Sequence, residues 1–212
     1  MRVLVFGASI TQGFYDTQGG WAERLWTHYT KNLLSDSNGP DITIFNLGIS
    51  GNDTPRLLKR FQPETDARKF PGEEFAFVFF IGTNDSWVRE DGSEISTPEK
   101  FSGEIRELIN QAKQYSAKVM FVGLAPCDEA RSQPIPWNKD IFFSNARIRD
   151  FDGAIKDVCQ QEGVKYVPIF DSLKKQLDNK EDIYADGLHP NDAGHQLIFE
   201  LVRPELDNLL NT

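Results

Sequence analysis

The chain has 212 residues, enough for one well-buried domain spanning 1–212 and too few for two comfortable ones. Its 23 Lys+Arg against 32 Asp+Glu give a net charge of −9, scattered along the chain, which argues against nucleic acid or an anionic membrane as partner. The longest apolar run, residues 75–81, is far too short to span a bilayer, and the apolar start is too short for a signal-peptide core, so a cytoplasmic protein without membrane insertion is expected.

Short apolar runs at 3–6, 42–47, 75–81, 118–122 and 165–168, rich in Val, Ile and Phe, read as strands covered on both faces. Amphipathic stretches lie between them. Residues 21–34 place Leu25, Tyr29 and Leu33 at four-residue steps. Thr97 caps a helix with Pro98 at its first position and Phe101, Ile105, Leu108 and Ala112 on one stripe. Residues 140–161 carry Ile148, Phe151, Ile155 and Val158, and Gly163 closes that helix. A last helix follows Asn191, with Pro204 expected to kink or break it. Alternation of this kind predicts an α/β fold with a central five-stranded parallel sheet, in the flavodoxin-like order 2-1-3-4-5.

Irregular stretches are expected at 36–40, 86–96 and 126–139. Trp87 and Trp137 fall in the last two, with Phe142 and Phe143 just beyond, and either wall an acyl or sugar pocket or close over the core. Cys127 and Cys159 are far apart and match no metal spacing; they read as small buried hydrophobes. Neither a cofactor nor a metal is expected.

The chemistry concentrates at the strand ends. Ser9 follows the first strand in Gly7-Ala8-Ser9-Ile10-Thr11, Gly51 follows the second in Gly48-Ile49-Ser50-Gly51, and Asn84 the third in Gly82-Thr83-Asn84-Asp85. If the strands are parallel, all three lie on one carboxyl edge. Asp186-Gly187-Leu188-His189-Pro190 comes after the fifth strand and can fold over the same edge. A serine hydroxyl needs a base, which His189 supplies, and Asp186 would orient the imidazole. Backbone N–H groups of Ser9 and Gly51, with the Asn84 side-chain amide, are candidate donors to an oxyanion. Asp85 is expected to brace its loop, and His28 and His195 to be solvated or locally bonded.

These residues resemble the SGNH (GDSL-type) hydrolase family, whose name spells Ser, Gly, Asn and His in four blocks. Ser9, Gly51, Asn84 and His189 match them in order, and Asp186 matches the family's Asp three places before the histidine. The resemblance implies a three-layer fold and a serine esterase. Its substrates would be small acyl esters, thioesters or acetylated carbohydrates. One departure stands out: the first block usually reads Gly-Asp-Ser, and here Ala8 replaces the Asp. Competing readings are a nucleotide- or flavin-binding module, which the glycines at 7 and 13 support only without Gly-x-Gly-x-x-Gly spacing, and a non-catalytic carbohydrate binder, motivated by Ala8.

Overall fold

The computed structural model describes residues 1–36 and 39–211. Five parallel strands form the central sheet: β1 (Arg2–Gly7), β2 (Thr43–Gly48), β3 (Phe75–Phe80), β5 (Val119–Val122) and β7 (Lys165–Val167). Two short strands, β4 (Val88–Arg89) and β6 (Ile141–Phe142), pair antiparallel in a separate ribbon. The sheet order is β2-β1-β3-β5-β7. The ribbon strands shift the numbering, and the five main strands keep the relative order expected of them. β1 sits between β2 and β3, with Gly7 level with Gly48 and Phe80, so three strands end at one height.

Helices cover both faces, as right-handed crossovers between parallel strands require. On one side α2 (Gly20–Ser35) packs against α8 (Asp192–Leu210). On the other, α3 (Thr54–Asp66), α4 (Pro98–Lys113) and α6 (Asn145–Glu162) lie side by side. Short helices α1 (Ser9–Gln12), α5 (Glu129–Ser132) and α7 (Phe170–Asp178) complete the set. The core on the α3 side is aromatic: Phe6, Phe61, Phe77, Phe79 and Phe121 are fully buried, with neighbouring ring centroids 4.8–6.3 Å apart. Burying each such ring contributes roughly 1.5–3 kcal/mol.

Several boundaries differ from the periodicity reading. Helix α6 begins at Asn145, where the Ser144 hydroxyl accepts from the Arg147 N–H; the residues before it turn into β6. Pro204 does not end α8. Buried Val202 and Leu206 hold the helix on the sheet, and Arg203 pairs with Asp207 across the proline at 2.8 Å. The irregular stretch expected at 36–40 includes Ser37 and Asn38, which lie outside the described residues. Among the described residues no helix is long and apolar enough to cross a membrane.

Candidate active site

Ser9 opens α1, immediately beyond the end of β1. The turn is tight because Gly7 has no side chain: a Cβ there would lie 2.0 Å from Thr11 Oγ1 and 2.5 Å from the Phe80 carbonyl. The Ser9 hydroxyl lies 2.9 Å from His189 Nε2, joining residues 180 positions apart. His189 Nδ1 lies 2.7 Å from Asp186 Oδ2. The other oxygen, Asp186 Oδ1, accepts the backbone N–H groups of His189 at 2.7 Å and Leu188 at 2.9 Å.

Burial raises the Asp186 pKa, but its bonds to the ring and backbone of His189 and to Leu188 outweigh that and hold it below the ordinary carboxylate value. An ionised Asp186 accepts a hydrogen bond from the ring Nδ1–H, which fixes the tautomer. Nε2 then presents a lone pair, and the Ser9 hydroxyl donates to it.

Asn84 lies in a 3₁₀ turn (Thr83–Asp85) after β3. One of its two side-chain N–H groups donates to the Asn52 carbonyl at 2.9 Å, tying this loop to the one after β2. In that neighbouring loop Gly51 adopts φ +76°, a left-handed conformation that favours glycine, and its carbonyl accepts from Arg56. Asp85 is nearly inaccessible and reaches across the same gap, accepting the Thr54 N–H at 3.0 Å and the Thr54 hydroxyl at 3.1 Å. It thus braces both its own loop and the start of α3. Burial lifts its carboxyl to about 7 against the pull of those bonds.

Ser9, Gly51, Asn84 and His189 share one cavity of about 720 Å³. Trp87 and Trp137 both line it, and Trp87 also packs against the hydrophobic core, so the two expected placements are combined in that residue. Trp137 is 51% exposed, with its ring centroid 5.2 Å from that of His189. Phe143 is buried and lines the same cavity, whereas Phe142 is not part of the lining. Sequence reasoning missed Phe14 and Tyr15, whose rings stand 5.3 and 5.7 Å from His189. It also missed Arg56, Arg89, Ile95 and Ile141 in the lining. A second void of about 10 Å³, the size of one water molecule, lies behind Ser9 and beside Ala8.

The remaining polar groups have structural partners. His195 is fully buried rather than solvated, because α8 packs its first turn under α2. Its Nδ1 accepts the Trp21 N–H at 3.3 Å, its Nε2 lies 3.4 Å from the Phe14 carbonyl, and burial pushes its pKa down to about 4. His28 is locally bonded, 3.1 Å from Asn32. Burial pushes the thiols of Cys127 and Cys159 up to about 11 and about 12, so neither offers a thiolate near neutral pH. Among the described residues, no group of His, Cys, Asp and Glu is arranged to hold a metal ion.

Ser9, His189 and Asp186 thus stand in hydrogen-bonded series over an open pocket at the carboxyl edge of a parallel sheet covered by helices. The chain belongs to the GDSL-like lipase/acylhydrolase family, matching it over residues 5–197, and it is a carboxylic ester hydrolase. It is 26% identical to the isoamyl acetate-hydrolyzing esterase 1 homolog of Mus musculus, the alignment covering 100% of this chain and 83% of that protein. A GDSL lipase of Mycobacterium tuberculosis is 29% identical over 95% of this chain and 80% of its own length. Among solved structures, an acetylxylan esterase from Geobacillus stearothermophilus shares the fold with a TM-score of 0.74 at 18% identity, covering 97% of this chain and 93% of that one.

Proposed function

We propose that the chain hydrolyses small carboxylic esters or thioesters by a two-step route through an acyl-enzyme on Ser9. The observation that carries this reading is the continuous series from Ser9 Oγ through His189 to Asp186, with links of 2.9 and 2.7 Å. His189 Nε2 takes the hydroxyl proton as Ser9 Oγ bonds to the substrate carbonyl carbon. The resulting oxyanion would be met by the N–H groups of Ser9 and Gly51 and the second N–H of Asn84. Collapse breaks the bond to the leaving group, which departs with the proton from His189. Water then loses a proton to His189, attacks the acyl carbon, and the acid leaves as the proton returns to Ser9.

The cavity volume falls in the range of small-molecule sites, about 300–1,000 Å³. Its aromatic walls suit an apolar chain or the face of a sugar ring. Small acyl esters and acetylated carbohydrates are therefore the favoured substrates, in keeping with relatives named for isoamyl acetate and acetylxylan.

The test is a fluorophosphonate label mapped by mass spectrometry, together with p-nitrophenyl acetate turnover by wild type and Ser9→Ala. Label on Ser9 and loss of turnover are expected. Equal rates in the two proteins would remove the nucleophile and return the site to a binding role, the reading Ala8 favours. A panel of p-nitrophenyl esters of rising chain length, run beside acetylated sugars, then ranks the substrates.

A further inference from the structure

The oxyanion side of the site depends on three loops from three strands standing in register, and one side chain touches two of them. Arg60 projects from α3, 14% exposed. Its Nη2 donates to the Gly7 carbonyl at 2.9 Å, two residues before Ser9. Its Nε donates to Asn52 Oδ1 at 2.8 Å, one residue after Gly51. Asn52 is buried, and its own carbonyl accepts from Asn84 at 2.9 Å. The third nitrogen, Nη1, pairs with Glu64 at 3.0 Å, and the guanidinium lies 5.5 Å from the centre of the Phe6 ring. Gly7, meanwhile, also accepts the Ile49 N–H at 3.1 Å, so both lone pairs of that carbonyl are engaged.

We propose that Arg60, acting through Asn52, is a positioning residue that fixes the spacing between the Ser9 turn, the Gly51 turn and the Asn84 side chain. The proposal rests on the oxyanion reading above and adds the part that holds the donors in place. Ala8 gives the fork its importance. No carboxylate stands at that position to brace the nucleophile turn. The guanidinium grips the turn one residue earlier. A planar fork reaches two acceptors at fixed separation; a lysine ammonium at the same site keeps the charge for Glu64 but loses the double contact.

Arg60→Lys is the primary variant, with Asn52→Ala as its partner, because the latter removes the acceptor of Nε and leaves the Glu64 pair intact. Both should lower kcat by about tenfold to a hundredfold, the scale of misplaced rather than deleted donors, with KM within about threefold. The double variant should lose little more than the worse single one, since both break one tether. In Arg60→Ala, millimolar guanidinium should restore part of kcat, and ammonium at equal ionic strength should not.

A purely structural arginine would lower the melting temperature while kcat per folded molecule stayed at the wild-type value, and that result in both single variants would overturn the proposal. Should Arg60→Ala fail to fold, Arg60→Lys and Asn52→Ala still decide it. Fluorophosphonate labelling separates the two levels of inference. Stoichiometric but slower labelling of Ser9 in the variants supports the tether. Wild-type labelling rates in the variants sink the tether alone, and an unlabelled Ser9 in wild type sinks the nucleophile and the tether with it.

Discussion

The two walls of the cavity are built in opposite ways. On one side, Ser9 and His189 and the residues that brace the adjoining loops, Asn52, Thr54 and Asp85, are all at most 8% exposed, and their polar atoms are tied across three loops. On the facing lip, Phe14, Tyr15 and Trp137 are 40–54% exposed and meet His189 through ring edges and faces. Hydrogen bonds between buried groups fix distance and angle, and leaving one unmade costs about 1–3 kcal/mol. Contacts between exposed rings contribute less and tolerate rearrangement, roughly 0.5–1.5 kcal/mol per pair. Under the proposed mechanism, the contrast teaches that geometry is enforced where bonds would be made and broken, while the surface that would meet the rest of the substrate is left adaptable.

Substitutions should separate the two walls by size of effect. Ser9→Ala removes the attacking group and should lower turnover by about 10⁶, measured on p-nitrophenyl acetate. Asp186→Asn keeps the shape but disturbs the imidazole tautomer, and a loss of about 10⁴ in kcat is expected. Asn84→Ala should cost roughly 10²–10³ in kcat if its free N–H faces the oxyanion. A loss below tenfold with the fold intact would take Asn84 out of that role and move the boundary between the walls. Trp137→Ala should change kcat/KM by about tenfold or less, with the change depending on acyl or alcohol length across the ester panel. If Trp137→Ala matched Asn84→Ala in magnitude on every ester, the division drawn here would fail.

A subtler test concerns stability against pH. Asp85, raised to about 7, contributes stability while it holds its proton, and that contribution is lost as pH rises from the ordinary carboxylate value through 7. His195, depressed to about 4, has the opposite sign: its contribution is present above the ordinary imidazole value and is lost as pH falls toward 4. Between these limits the two slopes oppose each other. Urea melts at several pH values should show Asp85→Asn gaining stability as pH rises from 4 to 7, and His195→Gln losing it. A pair of variants with parallel profiles would contradict one or both assignments.

Much of the catalytic wall was legible because its signals are local. Gly7-Ala8-Ser9 follows an apolar strand, and Asp186 and His189 close a three-residue turn whose backbone N–H groups bond the same carboxylate. The topology followed from strand runs buried on both faces, which leave little ambiguity about parallel pairing. Helix α3 was harder to see: Leu57 and Phe61 are its only buried apolar side chains, set among prolines and charges. What reveals it is Asp53, whose carboxylate caps the Arg56 N–H, together with Pro55 in its first turn. The tether at Arg60 and the rings of Phe14 and Tyr15 carry no periodic signal at all. Their roles arise from contacts between loops distant in sequence, which pattern reading cannot reach. His195 was misplaced for a related reason, since the face it presents is decided by how α8 meets α2.

The ribbon of β4 and β6 lies outside the main sheet, yet it supplies Arg89 and Ile141 to the chamber, and Trp87 and Phe143 flank it. Arg147 at the start of α6 ties together the two ends of the loop that carries β4, donating to the carbonyls of Ser86 and Ser96, both at 2.7 Å. Its strands pair with each other and with none of the five in the main sheet, so exchanging the side chains of Arg89 or Ile141 would recontour the chamber while the pairing of β1, β2 and β3 stayed as it is.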